Sequence, residues 1–488
     1  MQKKFLFNLA LILLLNVIVK PFYILGIDAE VQNQVGTAQY GLYFSLLNLS
    51  FLFNMFLDFG IVNYNTRNIA QHPNLLSSYF SKLSSIRILL FGFYLSILLL
   101  VGFFIGYKPD QLYLLLLLAI NQCIVASIQF LRSNITGLHW FKTEAMLSVL
   151  DRLLLIIFCS LLLWSNLFSQ HITIEWFIYA QMLAYTLTFF TALFVLKNEI
   201  KPFHFKLSKT ITTSLLKQSF PYALLIFLMF IYNRIDSIML ERILPNGEIQ
   251  AGIYAQGFRY LDAINMFALL FAGLLLPIYA RLLKQKESIY QMVEIPIRLL
   301  IGGSLIISIT CFYHAEFIMG LRYQHFVVES ALPFAILILS FIPISFTYIF
   351  GTALTANGSL KALNWMAIAG VILNISLNLI FIPKLEAYGA AIATLITQFF
   401  TALVQIIIAY KIFQFKINTK LLFGMVGFTF LLWGINSDYI FHYQYAAPRF
   451  ILTLMGSIFG LFFFRIIKIS TLIQFLKKAF KEKSVKES

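Results

Sequence analysis

Runs of about twenty apolar residues follow one another along the whole chain, each closed by a short polar or basic segment. A helix needs about 20 residues to cross the hydrocarbon of a bilayer. The pattern places crossings near 5–25, 41–62, 86–106, 112–131, 148–168, 174–196, 215–240, 251–280, 293–313, 329–351, 362–382, 389–411, 419–436 and 446–467. The expected fold class is all-α, a polytopic membrane protein of about 14 transmembrane helices. The first apolar run, Phe5 to Leu25, follows Lys3 and Lys4 but lacks a clean small-residue cleavage pattern. It is read as a retained helix rather than a signal peptide.

The loops fix an orientation. With the N-terminus in the cytoplasm, 28 of the 36 basic residues fall on the cytoplasmic side, among them Arg67, Lys82, Arg132, Lys142, Arg152, the run from Lys197 to Lys217, and the tail from Arg465. Six fall outside: Lys20, Lys108, Arg242, Arg322, Lys384 and Arg449. Such a split follows the positive-inside rule, and it implies an even number of crossings with both termini in the cytoplasm. The longest loops hold about 20 residues, too few for a soluble core.

Composition agrees. Of 488 residues, 60% are hydrophobic and 11% charged, where soluble chains carry roughly a quarter charged. The net charge of +16 belongs to the loops and tail, so it points to the membrane surface and not to nucleic acid. Cys123, Cys159 and Cys311 lie in apolar runs without a metal or disulfide spacing. No metal site, Gly-rich phosphate loop or HExxH pattern occurs, and His314 and His325 are expected to be solvated in an outer loop. With no ATP site and no cofactor expected, transport by this chain would draw on a sodium or proton gradient, the substrate gradient or a separate partner.

One internal repeat stands out. Gly41-Leu42-Tyr43 and Asn54-Met55-Phe56 recur 211 residues later as Gly252-Ile253-Tyr254 and Asn265-Met266-Phe267. Six crossings separate the copies, so they share an orientation, which predicts two parallel six-helix lobes. The domains expected are an N-terminal lobe over 1–200, a C-terminal lobe over 201–415, two additional helices over 416–470, and a basic cytoplasmic tail over 471–488.

Charged groups at mid-bilayer cost about 2.5–3.5 kcal/mol on insertion scales and seldom face lipid. The seventh run carries Tyr232, Asn233, Arg234 and Asp236, the eighth Arg259, Asp262 and Asn265, and the eleventh Asn374 and Asn378. These positions are expected to line a water-filled cavity between the lobes, with Arg234 and Arg259 holding an anion through their donor forks. Tyr232, Asn265, Asn374 and Asn378 complete the substrate-cavity candidates. Asp58, Asp236 and Asp262 are candidates for a coupling ion. A plainer account is internal neutralisation, with Arg259 paired to Asp262 and Asp58 at a helix end near Arg67.

The segment Val35-Gly36-Thr37-Ala38-Gln39-Tyr40-Gly41-Leu42-Tyr43 leading to Asp58-Phe59-Gly60-Ile61 resembles the start of bacterial polysaccharide transporters. These form the O-antigen flippase-like branch of the multidrug/oligosaccharidyl-lipid/polysaccharide exporter superfamily. Gly252-Ile253-Tyr254-Ala255-Gln256 through Leu276-Pro277, and Gly351-Thr352-Ala353-Leu354-Thr355-Ala356 through Ile382-Pro383 to Gly389-Ala390-Ala391, are similar to later segments of that family. The resemblance covers about residues 1–415. It implies two six-helix bundles in a V shape that flip undecaprenyl-diphosphate-linked oligosaccharide units across the bacterial inner membrane by alternating access. It also implies a cationic cavity, membrane lipids as surroundings, and polysaccharide polymerase and glycosyltransferases as partners. Asp236 and Asp262 depart from a purely cationic cavity. The alternatives are an ion-coupled multidrug or organic-cation antiporter of the same fold, which needs an acidic cavity, and a non-transport scaffold for polysaccharide assembly.

Overall fold

A computed structural model describes residues 16–466, apart from 17, 73, 75, 166–171, 201–202, 206, 208, 416–417, 438–445 and 465. The described residues form helices joined by short turns, with no strand. Among them eleven helices are long and apolar enough to cross a bilayer, twelve when one bent pair is taken together. The chain is therefore a multi-pass all-α membrane protein, and its exposed Phe, Leu, Ile and Trp side chains form the surface that lipid wets.

The first helix, α1, runs over 18–35 and so extends ten residues past the predicted end at 25. It contains a π-helical segment, Tyr23–Asp28. Lys20, expected in an outer loop, lies inside this helix. Gly36 then takes φ 87°, a left-handed value open to glycine at no steric cost, and starts α2 at Thr37–Leu52. The predicted helix over 41–62 stops at Leu52: the chain breaks at Phe53, bends by 47°, and turns again at Phe59 and Gly60 into Ile61–Gln71.

Then come α3 (Leu76–Ile105), α4 (Pro109–Gly137), α5 (Phe141–Trp164) and α6 (Ile174–Leu196). The start of α5 at Phe141 puts Arg152, expected at a cytoplasmic edge, eleven residues inside the helix. The second part of the chain continues with α7 (Lys209–Ile243), α8 (Gly247–Lys284), α9 (Met292–Tyr313) and α10 (Val327–Ala356).

The helix Leu360–Phe413 breaks at Glu386, whose φ and ψ are 52° and −132°. Gly389 sits against the Phe381 carbonyl, Gly370 against Thr401, and Gln405 against Met366, so the two arms fold back antiparallel. They are named α11 (360–385) and α12 (387–413). Two further helices, α13 (Thr419–Asn436) and α14 (Ala446–Phe463), pack on α9. His314, at the end of α9, is buried and bonded to Thr453 of α14 at 3.1 Å, so it is a packing group and not a solvated one.

The two halves of the chain meet where α2 lies on α8. The contact pairs the two copies of the repeat: a Cβ on Gly41 would overlap the Glu248 carbonyl, and one on Gly252 would overlap the Thr37 carbonyl. Only glycine lets the backbones approach this closely. The contact lies near the Gly36 and Asn246 turns. Toward the opposite end α2 breaks away, and α8 exposes Phe267, Leu269, Leu274, Leu276 and Ile278.

Candidate functional site

Beside this contact runs a buried ionic chain made from both halves. Arg259 on α8 places Nε 2.6 Å from Asp28 Oδ2 at the end of the π-helical segment. Its Nε also donates to the Tyr40 hydroxyl at 2.8 Å, and that hydroxyl donates to Asp28 at 2.5 Å. Asp262, one turn along α8, is 3.8 Å from Arg259 Nη1. It is held in a two-pronged bond by Arg234 of α7, at 2.9 and 3.2 Å. Arg234 lies over the Phe258 ring and also donates to Asn48 Oδ1 of α2 at 3.4 Å, while Asn48 donates to Ser237 at 2.8 Å.

Both arginines are thus matched by carboxylates, as the internal-neutralisation account expected. The stronger partner of Arg259 is Asp28, from the other half, rather than its own-helix neighbour Asp262. Asp28, Tyr40 and Asn48 carried no mark in the sequence, because ending the first helix at 25 left Asp28 in a loop. The two-residue spacing of Asp28 and Glu30, with Tyr40 one turn into the next run, was the available signal.

A cavity of about 750 Å³ adjoins this chain. Its lining comes from 225–405, on α7, α8, α10, α11 and α12. This lining lies within the C-terminal half, beside the contact of α2 with α8. Tyr232, Arg234, Asp262 and Asn265 line it, joined by Asn233, Thr394, Gln398 and Gln405 among many apolar side chains. The Asn265 amide oxygen is buried and has no partner among the described residues, which leaves one acceptor open at the wall. Arg259, Asp236, Asn374, Asn378 and Asp58 stand outside the lining.

Asp236, Asn374 and Asn378 instead form a compact buried site behind the cavity. Asp236 is 1% exposed and has no cationic partner among the described residues. Its Oδ1 accepts from Asn378 at 2.6 Å and Asn374 at 3.1 Å, and its Oδ2 from Tyr254 at 2.9 Å and from Thr394. Four neutral donors on one carboxylate are what a negative charge needs when no cation is present. Asn378 Oδ1 is buried and unpartnered beside it. Thr394 belongs to this site and to the cavity wall at once.

Asp58 lies elsewhere. It accepts from the backbone of Val62 at 3.1 Å, capping the helix after the break, and pairs with buried Arg87 of α3 at 3.3 Å. Among the described residues no cluster of His, Cys, Asp and Glu could hold a metal ion.

The helical arrangement is that of transporters of the multidrug/oligosaccharidyl-lipid/polysaccharide superfamily. A MATE family transporter of that superfamily in its inward-facing conformation superposes with a TM-score of 0.60 at 13% identity, over 81% of this chain and 94% of its own. A superfamily transporter from Pyrococcus furiosus gives 0.58 at 15% identity, over 83% and 95%. A Vibrio cholerae MATE transporter in a bent form gives 0.55 at 15%, over 84% and 97%. Residues 5–283 match the model of the polysaccharide biosynthesis protein family, and the chain belongs to that family. An uncharacterised membrane protein of Methanocaldococcus jannaschii is 25% identical over 383 residues, 75% of this chain and 88% of its own length. The solved structures that share this fold are described as transporters.

Proposed function

We propose that the protein flips undecaprenyl-diphosphate-linked oligosaccharide units from the cytoplasmic to the periplasmic leaflet of the bacterial inner membrane by alternating access. The observation that carries this reading is the cavity that presents Arg234, Asp262 and the open Asn265 acceptor, in a chain of the polysaccharide biosynthesis family. Sugar hydroxyls need both donors and acceptors, and a diphosphate needs a guanidinium that can trade its carboxylate for phosphate oxygens. The supporting architecture is fourteen crossings, as two six-helix lobes and two added helices, with both termini cytoplasmic. The basic loops support the orientation. In it, α2 and α8 close the periplasmic end, and the cavity belongs to an inward-facing form. Polymerase and glycosyltransferases are the partners that would use and supply the lipid-linked unit.

Asp236 is the coupling site in this reading. A proton or sodium ion would satisfy the carboxylate and the unpartnered Asn378 oxygen together, and Thr394 would pass the change to the cavity wall. Asp262, tied to two arginines, and Asp58, tied to Arg87, are then structural ions.

The competing reading is an ion-coupled organic-cation antiporter, favoured by the carboxylate of Asp262 at the cavity. The Pyrococcus furiosus relative is described as having a binding pocket of reversed polarity that suggests a different function. Pocket charge is therefore the property to test. In cells lacking their own flippase, wild-type protein should restore surface glycan, while Arg234→Ala should lower it at unchanged protein level. Full glycan in that variant would remove the anion role, and export of organic cations without glycan would favour the antiporter.

A further inference from the structure

The cavity wall beside Asn265 carries an uncharged cluster that the function above leaves unassigned. On α10, Thr347, Gly351 and Thr355 recur every four positions, share one face and line the cavity. The turn over Thr347–Gly351 is π-helical, a widened geometry frequent at functional sites. Gln405 of α12 stands opposite. A Cβ on Gly351 would come within 2.5 Å of Gln405 Oε1, so the missing side chain is what gives the carboxamide its place. Glu386, where α12 begins, accepts from Gln250 at 2.8 Å beside the α2–α8 contact, and Gln405 lies far down α12 from there.

Thr347 Oγ1, Gln405 Oε1 and Asn265 Oδ1 are buried and have no hydrogen-bond partner among the described residues. Gln405 is only 2% exposed, and an acceptor so withdrawn from water costs free energy until something donates to it. The neighbouring donors turn away from the cavity. Thr355 donates to the Gly351 carbonyl at 2.8 Å and Thr352 to that of Tyr348 at 2.5 Å, which leaves their hydroxyl oxygens as acceptors. Asn233 donates to the Met229 carbonyl at 2.7 Å, and Gln398 donates to Asn233. The wall is therefore rich in acceptors. One donor stays available, because the Gln405 amide nitrogen reaches only the Met366 sulfur, a weak acceptor, at 3.9 Å. The complement of such a wall is a ligand that brings several hydroxyl hydrogens. A cation would also bring donors. However, Asp262 is the one carboxylate among the described lining residues, and Arg234 and Arg259 already hold it, so a positive charge finds no counterion there.

We infer that Thr347, Gln405 and Asn265 form a neutral sugar subsite that reads hydroxyl groups of the transported unit, and that Gly351 is the positioning residue that sets Gln405 in it. The inference rests on the reading that the substrate is a lipid-linked oligosaccharide. In that reading the subsite lies on the cytoplasmic side of the Arg234–Asp262 pair, and an entering sugar meets it first.

The probe is farnesyl diphosphate carrying glucose. Bare farnesyl diphosphate and the glucosamine derivative are the comparisons, all titrated into the full-length protein in lipid nanodiscs. Each variant is scored by the ratio of its affinities for the glucosylated and bare probes, so a loss of folded protein cancels. Wild type should bind the glucosylated probe about thirtyfold more tightly, the worth of two neutral hydrogen bonds. Thr347→Val and Gln405→Leu should each cut that ratio about fivefold, while Thr347→Ser should keep it. Gly351→Ala should cut it as well, by displacing Gln405. A wild-type ratio in both Thr347→Val and Gln405→Leu overturns the subsite and leaves the function standing. Equal affinity of wild type for the bare and glucosylated probes does the same. A wild-type ratio in Gly351→Ala overturns the positioning role. Tighter binding of the glucosamine probe, lost in Gln405→Leu, makes this a cation site and overturns the sugar assignment. A wild type that binds none of the probes removes the lipid-linked-sugar reading itself.

Discussion

Arg259 and Asp28 form an ion pair of 2.6 Å between the two halves of the chain, and both side chains are nearly withdrawn from solvent, at 10% and 1% exposure. A buried pair of this kind gains little over an apolar contact, yet removing one partner strands a charge and costs about 3–5 kcal/mol. Asp28→Asn and Arg259→Gln should therefore each lower the thermal midpoint in detergent. The double variant should fall no further than the worse single one, which a double-mutant cycle on thermal unfolding would show. Additive losses would mean that the two residues act independently.

The Gly41–Gly252 contact should be the least tolerant point of the closed end. A methyl at either position meets a backbone carbonyl that cannot move as a side chain would. Gly41→Ala and Gly252→Ala should push α2 from α8 and expose the ionic chain. Cysteine-labelling rates at Asn33 and at Gln324 should rise several-fold in both variants at equal expression. Unchanged rates would show that the backbones yield without opening.

Arg322, in the segment between α9 and α10, clamps this end from above. Its guanidinium donates to the carbonyls of Leu25 and Gly26, which the π-helical segment leaves available, and sits 3.3 Å from Glu30. Asn33 donates to the Arg322 carbonyl at 3.0 Å and accepts from the Gln324 backbone at 3.2 Å. In a cysteine-free background, Asn33→Cys with Gln324→Cys should oxidise to a disulfide that stops glycan transport, and reduction should restore it. Transport that continues in the cross-linked protein would show that this end does not need to open.

Asp236→Asn should separate coupling from folding. The amide has nearly the same shape, its oxygen still accepts from Asn374 and Asn378, and the cost of burying a charge is gone. The variant should express and melt at or above the wild-type midpoint, yet transport in vesicles should lose its response to an imposed proton or sodium gradient. A fully gradient-dependent Asp236→Asn would place the coupling ion elsewhere.

Much of the frame was legible in hydropathy. The apolar windows at 112–131 and 174–196 fall within helices, that at 86–106 runs one residue past Ile105, and the break between 382 and 389 coincides with the turn at Glu386. The errors cluster where a helix carries polar residues. Asp28 and Glu30 cut the first window short, and Lys142 and Glu144 delayed the start of the fifth, because a local average counts a charge as loop.

The sequence by itself therefore determined the class, the repeat and the short list of intramembrane polar residues. Each depends on windows of about 20 residues or on self-similarity. Only the tertiary structure decided how those residues pair: Arg259 with Asp28 rather than with Asp262 alone, Asp58 with Arg87, Asp236 with four neutral donors. Arg259 and Tyr40 are 219 positions apart and meet because two glycines let α2 and α8 touch. A charge in a membrane is neutralised by whatever packing brings within about 3 Å, and no local pattern along the chain records that distance.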